Sequence, residues 1–341
     1  MEEHENARRG RHDRGRPPAS LAFAAHLHYS FDQKGCSDMV TLVGQQLGNY
    51  RLMCLLGRGG FADVYLGEQI YLGSQAAIKM LSAPLAPEAR SGFLDEARML
   101  VRLAHPHIIR LLDYGIQEQT PFLVMEYAPG GTLRKLHPRG QPLPLSTVVA
   151  YVKQVAEALQ YAHTQRLIHR DVKPDNLLLG RQGEILLSDF GIALLAHSSR
   201  SQRTEDIVGT LAYMAPEQIQ GHPCQASDQY ALGVIAYEWL SGTRPFSGSF
   251  VEIAAGHCLV QPPPLQAARL GIPHLVVEVV SRALAKRPEQ RFPNVQAFAT
   301  AFERAASLTR KKSTSPVLAG KPPASGRQWR LEDDFEGIAT G

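Results

Sequence analysis

A run of polar residues near the middle of the chain has the residue types and the order that phosphoryl transfer requires. Residues 169–176 read His-Arg-Asp-Val-Lys-Pro-Asp-Asn, and Asp-Phe-Gly follows at 189–191. Transfer of a phosphoryl group from ATP needs a carboxylate near the attacking hydroxyl, hard oxygen ligands for Mg²⁺ and a cation against the moving charge. The two segments supply every kind of group, in Asp171, Lys173, Asn176 and Asp189. This ordered set is too specific for chance, and it predicts phosphoryl-transfer chemistry.

Two weaker signals precede this run. Residues 57–64 read Gly-Arg-Gly-Gly-Phe-Ala-Asp-Val between two strand-like patterns, and glycines at a turn let backbone N–H groups approach phosphate oxygens. By itself, such a loop is more often an ordinary hairpin turn. Lys79 ends an apolar strand and Glu96 lies beside an apolar helical stripe, and each charge is costly to bury alone. An ion pair between them is therefore attractive, with two separate exposed charges as the alternative.

The elements that must position these residues differ between the two halves of the chain. In the first half, apolar residues alternate in short runs, which is the pattern of β-strands. These runs cover 50–56, 64–66, 76–81, 108–114 and 122–127. One helical stripe interrupts them, formed by Phe93, Ala97, Leu100 and Ala104. The first half therefore predicts a small sheet with one helix.

The second half has the periodicity of helices. A long apolar stripe steps through Val148, Val152, Val155, Leu159 and Ala162. Further helical patterns cover 226–240, 275–285 and 295–306, and the last of them follows Asn294, a residue type that favours the N-cap position. This half is predicted to be mostly helical.

The ends of the chain lack such periodicity. Residues 1–40 are polar and rich in Arg and Gly, and residues 309–341 combine basic, Ser/Thr/Pro-rich and acidic stretches. Compositions of this kind bury too little apolar surface to offset the entropy of ordering. Both segments are predicted to be disordered around one folded domain at 50–308, and Met39 offers an alternative start of translation.

Composition excludes several classes of protein. The 341 residues carry 36 Lys and Arg against 32 Asp and Glu, an excess too small and too scattered to predict nucleic-acid binding. The four cysteines form no Cys-x-x-Cys pair, so neither a structural zinc nor a disulfide framework is expected. No apolar stretch reaches the length of a membrane span, and no GxxxxGK[ST] phosphate loop occurs. We therefore expect a cytoplasmic protein in a reducing environment.

The order of these motifs, completed by Ala-Pro-Glu at 215–217, resembles the eukaryotic-type protein kinases and, among them, the bacterial Hanks-type serine/threonine kinases. The resemblance extends over residues 50–306. It implies an α+β, bilobal protein kinase-like fold, with a small antiparallel sheet and one main helix in an N-lobe at 50–127 and a mostly helical C-lobe at 131–308. It also implies transfer of the ATP γ-phosphate to Ser/Thr hydroxyls of proteins in signalling.

The resemblance assigns a nucleotide site to the first half. Contacts with ATP are expected from Gly57, Gly59, Val64, Ala77, Lys79, Glu126 and Ala128, with Met125 at the back wall. Lys79 is expected to hold the α- and β-phosphates while Glu96 orients it. Glu126 and Ala128 are expected to offer backbone hydrogen bonds to adenine. The family's third loop glycine is replaced by Ala62, which lacks the positive-φ freedom of glycine, so a less mobile loop is expected.

The resemblance also assigns catalytic roles in the second half. Asp171 is expected to accept or orient the proton of the substrate hydroxyl, and Lys173 goes with Ser/Thr rather than Tyr substrates in this family. Asn176 and Asp189 are expected to bind two Mg²⁺ ions, with Mn²⁺ as an alternative metal. Thr210 is expected to line the substrate platform and to touch Asp171 or Lys173.

Supporting and regulatory residues follow from the same resemblance. Glu217 is expected to pair with Arg291, and Asp228 to brace the backbone of 169–171. The segment between Gly191 and Ala215 corresponds to an activation loop and carries the hydroxyls of Ser198, Ser199, Ser201, Thr204 and Thr210. Autophosphorylation is expected at Thr204 first and at Ser201 or Ser199 second, because a phosphate there can pair with Arg170.

Two alternatives keep the fold but change the function. A pseudokinase, which binds or scaffolds without transferring phosphate, ordinarily lacks Lys79, Asp171 or Asp189, and all three are present. A small-molecule kinase of the aminoglycoside type shares the two lobes, but the Ala-Pro-Glu motif and Lys173 argue against it. The expected partners are protein substrates and, by analogy, a second copy of the chain bound through the N-lobe; nucleic acid is not expected.

Overall fold

The computed structural model of the chain describes residues 42–60, 62–82, 89–190, 209–265 and 271–313, without the side chains of residues 89, 96 and 309–313. The N-terminal segment predicted to be disordered lies outside the described residues, and so does most of the C-terminal one. In the part of the chain that is described, no helix is long and apolar enough to cross a membrane.

The first half folds into a six-stranded antiparallel sheet. Its strands are β1 (Gln46–Leu47), β2 (Tyr50–Arg58), β3 (Ala62–Gln69), β4 (Gln75–Leu81), β5 (Leu111–Gln117) and β6 (Thr120–Glu126), in the order β1-β2-β3-β4-β6-β5. The predicted hairpin is the pair β2–β3. In the β3–β4 register, Val64 stands opposite Lys79. In the β4–β6 register, Ala77 stands opposite Met125, so the sheet aligns residues predicted to contact the nucleotide.

One helix, α1 (Ala89–Val101), follows β4. Phe93 and Ala97 of the predicted stripe are each 1% exposed and lie in one apolar cluster with buried residues of the sheet. The stripe does not extend to Ala104, which is exposed beyond the end of the helix. Pro106 lies just beyond, and proline disfavours helical backbone at the residue before it. The prediction that Ala104 belongs to the buried face is therefore wrong.

The second half is helical, as predicted. Its helices are α2 (Leu133–Leu136), α3 (Leu145–Thr164), α4 (Pro216–Ile219), α5 (Gln225–Ser241), α6 (Phe250–Leu259), α7 (His274–Ala283) and α8 (Val295–Ser313). All five residues of the predicted stripe on α3 are 0% exposed, and α3 packs against α5 and α8. Helix α5 is buried on all sides from Ser227 to Ser241, so it forms the centre of this half. The α+β, bilobal architecture is confirmed.

The last helix is longer than its apolar pattern suggests. Asn294 caps it as predicted, because its Oδ1 accepts a hydrogen bond from the Ala297 N–H over 2.8 Å. The helix then continues to Ser313, five residues beyond residue 308, and the predicted domain end at 308 stays a prediction. Arg and Lys at 310–312 are good helix formers, and positive charge is favourable at the carboxyl end of a helix.

A short hairpin joins the two segments that carry the chemistry. It consists of β7 (Leu177–Leu179) and β8 (Ile185–Leu187), which pair antiparallel. The residue before β7 and the residues after β8 therefore meet at one end of the hairpin. There the Ser188 N–H donates to the Asn176 carbonyl over 2.9 Å. This contact places Asp189 beside the 169–176 run.

Helix α6 is tied to its surroundings by a buried histidine. The His257 side chain is 0% exposed, and its Nε2 donates to the Ala212 carbonyl over 3.1 Å. The Tyr230 hydroxyl donates to Nδ1 over 2.9 Å. Burial, reinforced by the positive charge of Lys286, lowers the pKa of His257 to about 4. The folded protein therefore holds a neutral imidazole here.

We expect His257 to make stability depend on pH. The unfolded imidazole gains a proton as the pH falls below 6.5, whereas the folded one stays neutral until about pH 4. This group should lower the free energy of unfolding by roughly 2 kcal/mol between about pH 7 and about pH 5. Urea unfolding at both pH values measures the loss, which should shrink in His257→Gln. His274→Gln, at an exposed histidine, is the control and should keep the full loss; equal losses in all three proteins contradict the prediction.

Candidate active site

Asp171 lies at the centre of a small hydrogen-bonded cluster. Asn176 Nδ2 donates to the Asp171 carbonyl over 2.8 Å and to its Oδ2 over 3.0 Å. Lys173 Nζ lies 2.9 Å from the same Oδ2 and also donates to Thr210 Oγ1 over 2.8 Å. Both partners therefore use Oδ2, which leaves Oδ1 for a further donor. The expected contact of Thr210 with Lys173 is confirmed, and its place in a substrate platform stays a prediction.

Buried groups beneath this cluster hold its backbone. The Asp228 carboxylate on α5, 1% exposed, accepts from the backbone N–H groups of His169 and Arg170, each over 2.9 Å. His163 Nε2 lies 2.7 Å from the same carboxylate. Arg170 has a φ of +67°, which a residue with a side chain adopts only where its surroundings enforce it. The expected bracing by Asp228 is confirmed.

Asp189 faces the cluster from the end of the β7–β8 hairpin. Lys79 Nζ lies 2.6 Å from its Oδ1, so a cation of the sheet meets a carboxylate of the helical half. Burial raises the pKa of Asp189, but the charge and hydrogen bond of Lys79 outweigh it and hold the pKa below its ordinary value. The neighbouring Phe190 ring packs on the His169 ring, with centroids 4.5 Å apart. The structure thus brings the 169–176 run and the Asp189–Phe190 segment together at one site.

Glu96 is the predicted partner of Lys79. It belongs to α1, but its side chain lies outside the described part of the structure. Among the described side chains, the carboxylate that contacts Lys79 is that of Asp189. The ion pair between Lys79 and Glu96 therefore stays a prediction.

Three described residues of the glycine-rich loop, Gly57, Gly59 and Ala62, have an ordinary backbone. Gly57 has open space where a Cβ would stand, and the Gly59 N–H donates to the Ala62 carbonyl over 2.9 Å. None of these three residues has a positive φ. Ala62 is buried at the start of β3, so an alanine fits this position without backbone strain. The reduced mobility expected of the loop stays a prediction.

Strand β6 and the residues that follow it carry backbone and apolar groups that a flat ligand could contact. Met125 and Ala128 are buried, whereas the Glu126 side chain between them is exposed. Among the described residues, no group accepts a hydrogen bond from the Ala128 N–H. Buried backbone N–H groups rarely lack a partner, so this one is available to donate to a ligand. Met125 also borders a small apolar pocket whose lining includes Asp189 and Phe190.

Comparison with known proteins assigns this arrangement to a family. The profile of the protein kinase domain matches residues 50–302. The chain belongs to the protein kinase family. Its curated relatives include the serine/threonine-protein kinase Pkn1 of Myxococcus xanthus, 40% identical over 272 residues, which are 77% of this chain and 39% of Pkn1.

Other bacterial kinases match a similar share of the chain. The serine/threonine-protein kinase PrkC of Bacillus subtilis is 34% identical over 260 residues, 75% of this chain and 40% of PrkC. The serine/threonine-protein kinase PknA of Mycobacterium tuberculosis is 36% identical over 289 residues, 82% of this chain and 66% of PknA. The chain thus spans about 40% of the length of Pkn1 and PrkC. Membership of the bacterial Hanks-type kinases is confirmed.

The kinase family implies use of ATP and a divalent metal. The oxygen atoms of Asn176 and Asp189 fit the metal. Asn176 commits its Nδ2 to Asp171, so its Oδ1 is left as a ligand atom. Asp189 supplies an ionised carboxylate. Mg²⁺ prefers such hard oxygen ligands and usually takes only one or two carboxylates from the protein, with phosphates and water completing its shell.

The kinase domain also contains the expected buried ion pair. Arg291 Nη1 and Nη2 donate to the two carboxylate oxygens of Glu217 over 2.7 and 2.8 Å. Ser227 Oγ donates to the same carboxylate over 2.8 Å. Although burial raises the pKa of Glu217, the bonds from Arg291 hold it below its ordinary value. This pair fixes α4, which follows the segment containing Thr210.

Sequence reasoning missed a second charged network in the kinase domain. Arg134 on α2 pairs with the buried Glu238 on α5, and the two residues are 104 positions apart. The Tyr213 hydroxyl donates to the same carboxylate over 2.5 Å. No short motif joins these residues, so only the presence of Glu238 inside the apolar run 230–240 signalled that a buried charge needed partners.

Proposed function

We propose that the chain is an active serine/threonine protein kinase that transfers the γ-phosphate of ATP to hydroxyls of protein substrates. The observation that carries the proposal is the cluster at Asp171, where Lys173 and Asn176 occupy one carboxylate oxygen and leave the other for a hydroxyl. The names of the bacterial relatives support it. Because the chain spans only part of those proteins, the activity of the whole protein belongs to the proposal.

In this proposal the nucleotide lies between the sheet and the helical half. Its adenine contacts Val64 and Ala77, donates a hydrogen bond to the Glu126 carbonyl and accepts one from the Ala128 N–H. Its phosphates approach the backbone of the glycine-rich loop at Gly57 and Gly59, and Lys79, with Glu96 orienting it. The register of the sheet supports this placement, since it aligns Val64 with Lys79 and Ala77 with Met125.

The metal is proposed to be Mg²⁺, with Mn²⁺ as an alternative, held by Asn176 Oδ1 and the Asp189 carboxylate. When bound, it neutralises charge on the phosphate oxygens. Lys79 adds a second positive charge against the phosphate oxygens. Its Nζ lies 2.6 Å from Asp189, so this charge stands beside the proposed metal ligand. The protein's own part is therefore to hold two oxygen ligands and one cation in fixed positions.

The transfer step follows from the free oxygen of Asp171. The substrate hydroxyl donates to Asp171 Oδ1, which orients the hydroxyl oxygen towards the γ-phosphorus. As the new O–P bond forms, the bond from the γ-phosphorus to the bridging oxygen breaks, and ADP leaves with that electron pair. The hydroxyl proton passes to Asp171. Lys173, held by Thr210, places a positive charge beside the moving phosphoryl group.

The test is transfer of label from γ-labelled ATP, in the presence of Mg²⁺, to a mixture of Ser-, Thr- and Tyr-containing peptides. Phosphoamino acid analysis should find label on Ser or Thr and not on Tyr. A chain that binds ATP and labels nothing would be a pseudokinase. Transfer to a hydroxylated small molecule such as an aminoglycoside, and to no peptide, would identify the other alternative.

Replacing Lys79 by Met should lower kcat by a factor of about 10²–10³, because it removes one preorganised cation from the site. Initial rates of label transfer measure the loss. Lys153→Met is the matched control, since Lys153 is about half exposed and pairs only with Glu303 among the described residues. A Lys79→Met variant as active as the control contradicts the role of Lys79.

We further propose that the kinase phosphorylates its own activation loop. Thr204 and Ser201 lie outside the described residues. Among the described residues, the buried Arg170 Nε has no hydrogen-bond partner, and a loop phosphate would supply one. Phosphopeptide mapping after incubation with ATP should find modification at Thr204, reduced in the Asp171→Asn variant. Modification confined to the ends of the chain would contradict the proposal.

The remaining expectations concern location and assembly. The thiols of Cys54, Cys224 and Cys258 are free, which supports a reducing, cytoplasmic location. Exposed apolar side chains on the N-lobe, Tyr71 and Leu72 among them, support a homodimer through this lobe. Sedimentation of the wild type beside a Leu72→Glu variant tests the dimer, which should dissociate in the variant; identical sedimentation contradicts this contact.

A further inference from the structure

Arg134 forms ion pairs with the carboxylates that lie beside the 169–176 segment. Arg134 Nη1 donates to Glu238 Oε1 over 2.7 Å, and its Nη2 donates to the Tyr213 hydroxyl. Arg134 Nε also lies 3.6 Å from Asp175, the residue before Asn176. Two acidic side chains near the site are therefore neutralised from within the domain. A basic side chain of a substrate would find little free negative charge here.

Further positive charge surrounds the same carboxylate. Arg139 Nε lies 3.7 Å from Glu238 Oε1, although half of the Arg139 side chain is exposed. Arg244 is partly buried and makes no hydrogen bond or ion pair with any residue that the structure describes. Burial, and then the charge of Arg139, lower the pKa of Arg244. Two arginines thus share one buried carboxylate, and Arg244 lies near the same charges without an ion pair to any described residue.

The three-arginine cluster, Arg134, Arg139 and Arg244, is connected to the catalytic residues. Tyr213, which bonds both Arg134 and Glu238, also donates its backbone N–H to the Thr210 carbonyl over 3.1 Å. Thr210 accepts from Lys173, which contacts Asp171. The cluster therefore borders the segment that is expected to hold the substrate next to the transferred phosphate.

We propose that Arg139 and Arg244 bind a carboxylate side chain of the protein substrate close to its Ser or Thr acceptor, so that the kinase selects acidic substrates. The proposal rests on the proposed function. Arginine suits the role because its planar guanidinium binds a carboxylate through two parallel hydrogen bonds. An incoming Asp or Glu would also relieve the like-charge repulsion among the arginines.

The experiment compares peptides that share one Thr acceptor and differ in one flanking residue, which is Asp, Asn or Lys at successive positions on either side. The measured quantity is kcat/KM for label transfer by the full chain. At one position or more, Asp should exceed Lys by about tenfold, with Asn between them, and added salt should reduce the ratio. If no peptide is labelled, the proposed function fails; if all are labelled equally, only the acidic preference fails.

Variants assign the preference to the cluster. Arg139→Gln and Arg244→Gln should each reduce the Asp-to-Lys ratio, and the double variant should abolish it, mainly through the KM of the acidic peptide. Arg287→Gln is the matched control, because it removes the same charge from an exposed side chain that pairs with Glu289. The control should keep the full ratio. A ratio retained by the double variant, or lost equally in Arg287→Gln, overturns the proposal.

A lost Asp-to-Lys ratio could come from lost recognition of the carboxylate or from a damaged fold, and thermal melting of each variant separates these two explanations. If the variants melt as the wild type does and still label the Asn peptide, a lost ratio reports recognition of the carboxylate. Lys173→Arg provides a further comparison, because it disturbs the Asp171 cluster while leaving the arginines in place. It should lower kcat for all peptides and keep the Asp-to-Lys ratio; a changed ratio with wild-type kcat would contradict the assignment.

Discussion

Replacing Asp171 by Asn is expected to lower kcat for phosphoryl transfer by a factor of about 10²–10⁴ and to leave the KM for ATP nearly unchanged. Asparagine has the same size, and its amide oxygen can still accept from Lys173 and Asn176, which bond Oδ2 in the wild type. It cannot take the proton of the substrate hydroxyl. Initial rates of label transfer at saturating ATP and peptide measure the effect.

The control for this variant is the same substitution at an exposed aspartate. Asp95 lies on α1, and its side chain is largely exposed and pairs with Arg98. Asp95→Asn should transfer phosphate at the wild-type rate, and both variants should melt as the wild type does. If Asp171→Asn keeps the wild-type kcat while it remains folded, Asp171 does not act on the hydroxyl, and the proposed mechanism is wrong.

The largest effect on stability is expected from Glu217→Gln. The substitution leaves the buried guanidinium of Arg291 without its bidentate partner, and a buried charge that loses its partner costs about 3–5 kcal/mol. In a domain of this size, such a loss lowers Tm by roughly 10 °C. The free energy of unfolding from urea titration and Tm from calorimetry both measure it. Activity should fall as well, since α4 follows the segment that carries Thr210.

The matched control is Glu303→Gln on α8. Glu303 accepts from Lys153 over 3.3 Å, and both side chains are about half exposed. Exposed pairs of this kind contribute less than about 1 kcal/mol, so the control should unfold close to the wild type. Equal losses in the two variants would mean that burial does not determine the strength of the Glu217–Arg291 pair.

Much of the fold could be predicted because its elements carry local signals. The stripe on α3 marks one face of a helix, and its five residues are all buried. Asn294 marks the start of α8 through its own side-chain hydrogen bond. The ends of elements were predicted less well: α1 ends before Ala104, and α8 continues to Ser313. Such ends depend on the balance of caps, charge and tertiary packing rather than on periodicity.

The chemistry of the site could be predicted from the sequence because each chemical role requires a particular type of side chain. A proton acceptor, oxygen ligands for a metal and a cation have few substitutes among the side chains, and they stand in the short segments 169–176 and 189–191. The ion pair of Lys79 with Asp189 could not be predicted from the sequence, because strand register and the turn after β8 bring these residues together.

The amino-acid sequence by itself determined the family, the order of the elements and the residues that carry the chemistry, because periodicity and motif spacing are properties of neighbouring residues. Only the tertiary structure decided which charges meet. Arg134 pairs with Glu238, and Arg244 forms no ion pair with any described residue. The reason is physical: the cost of burying a charge depends on neighbours that folding brings from distant parts of the chain.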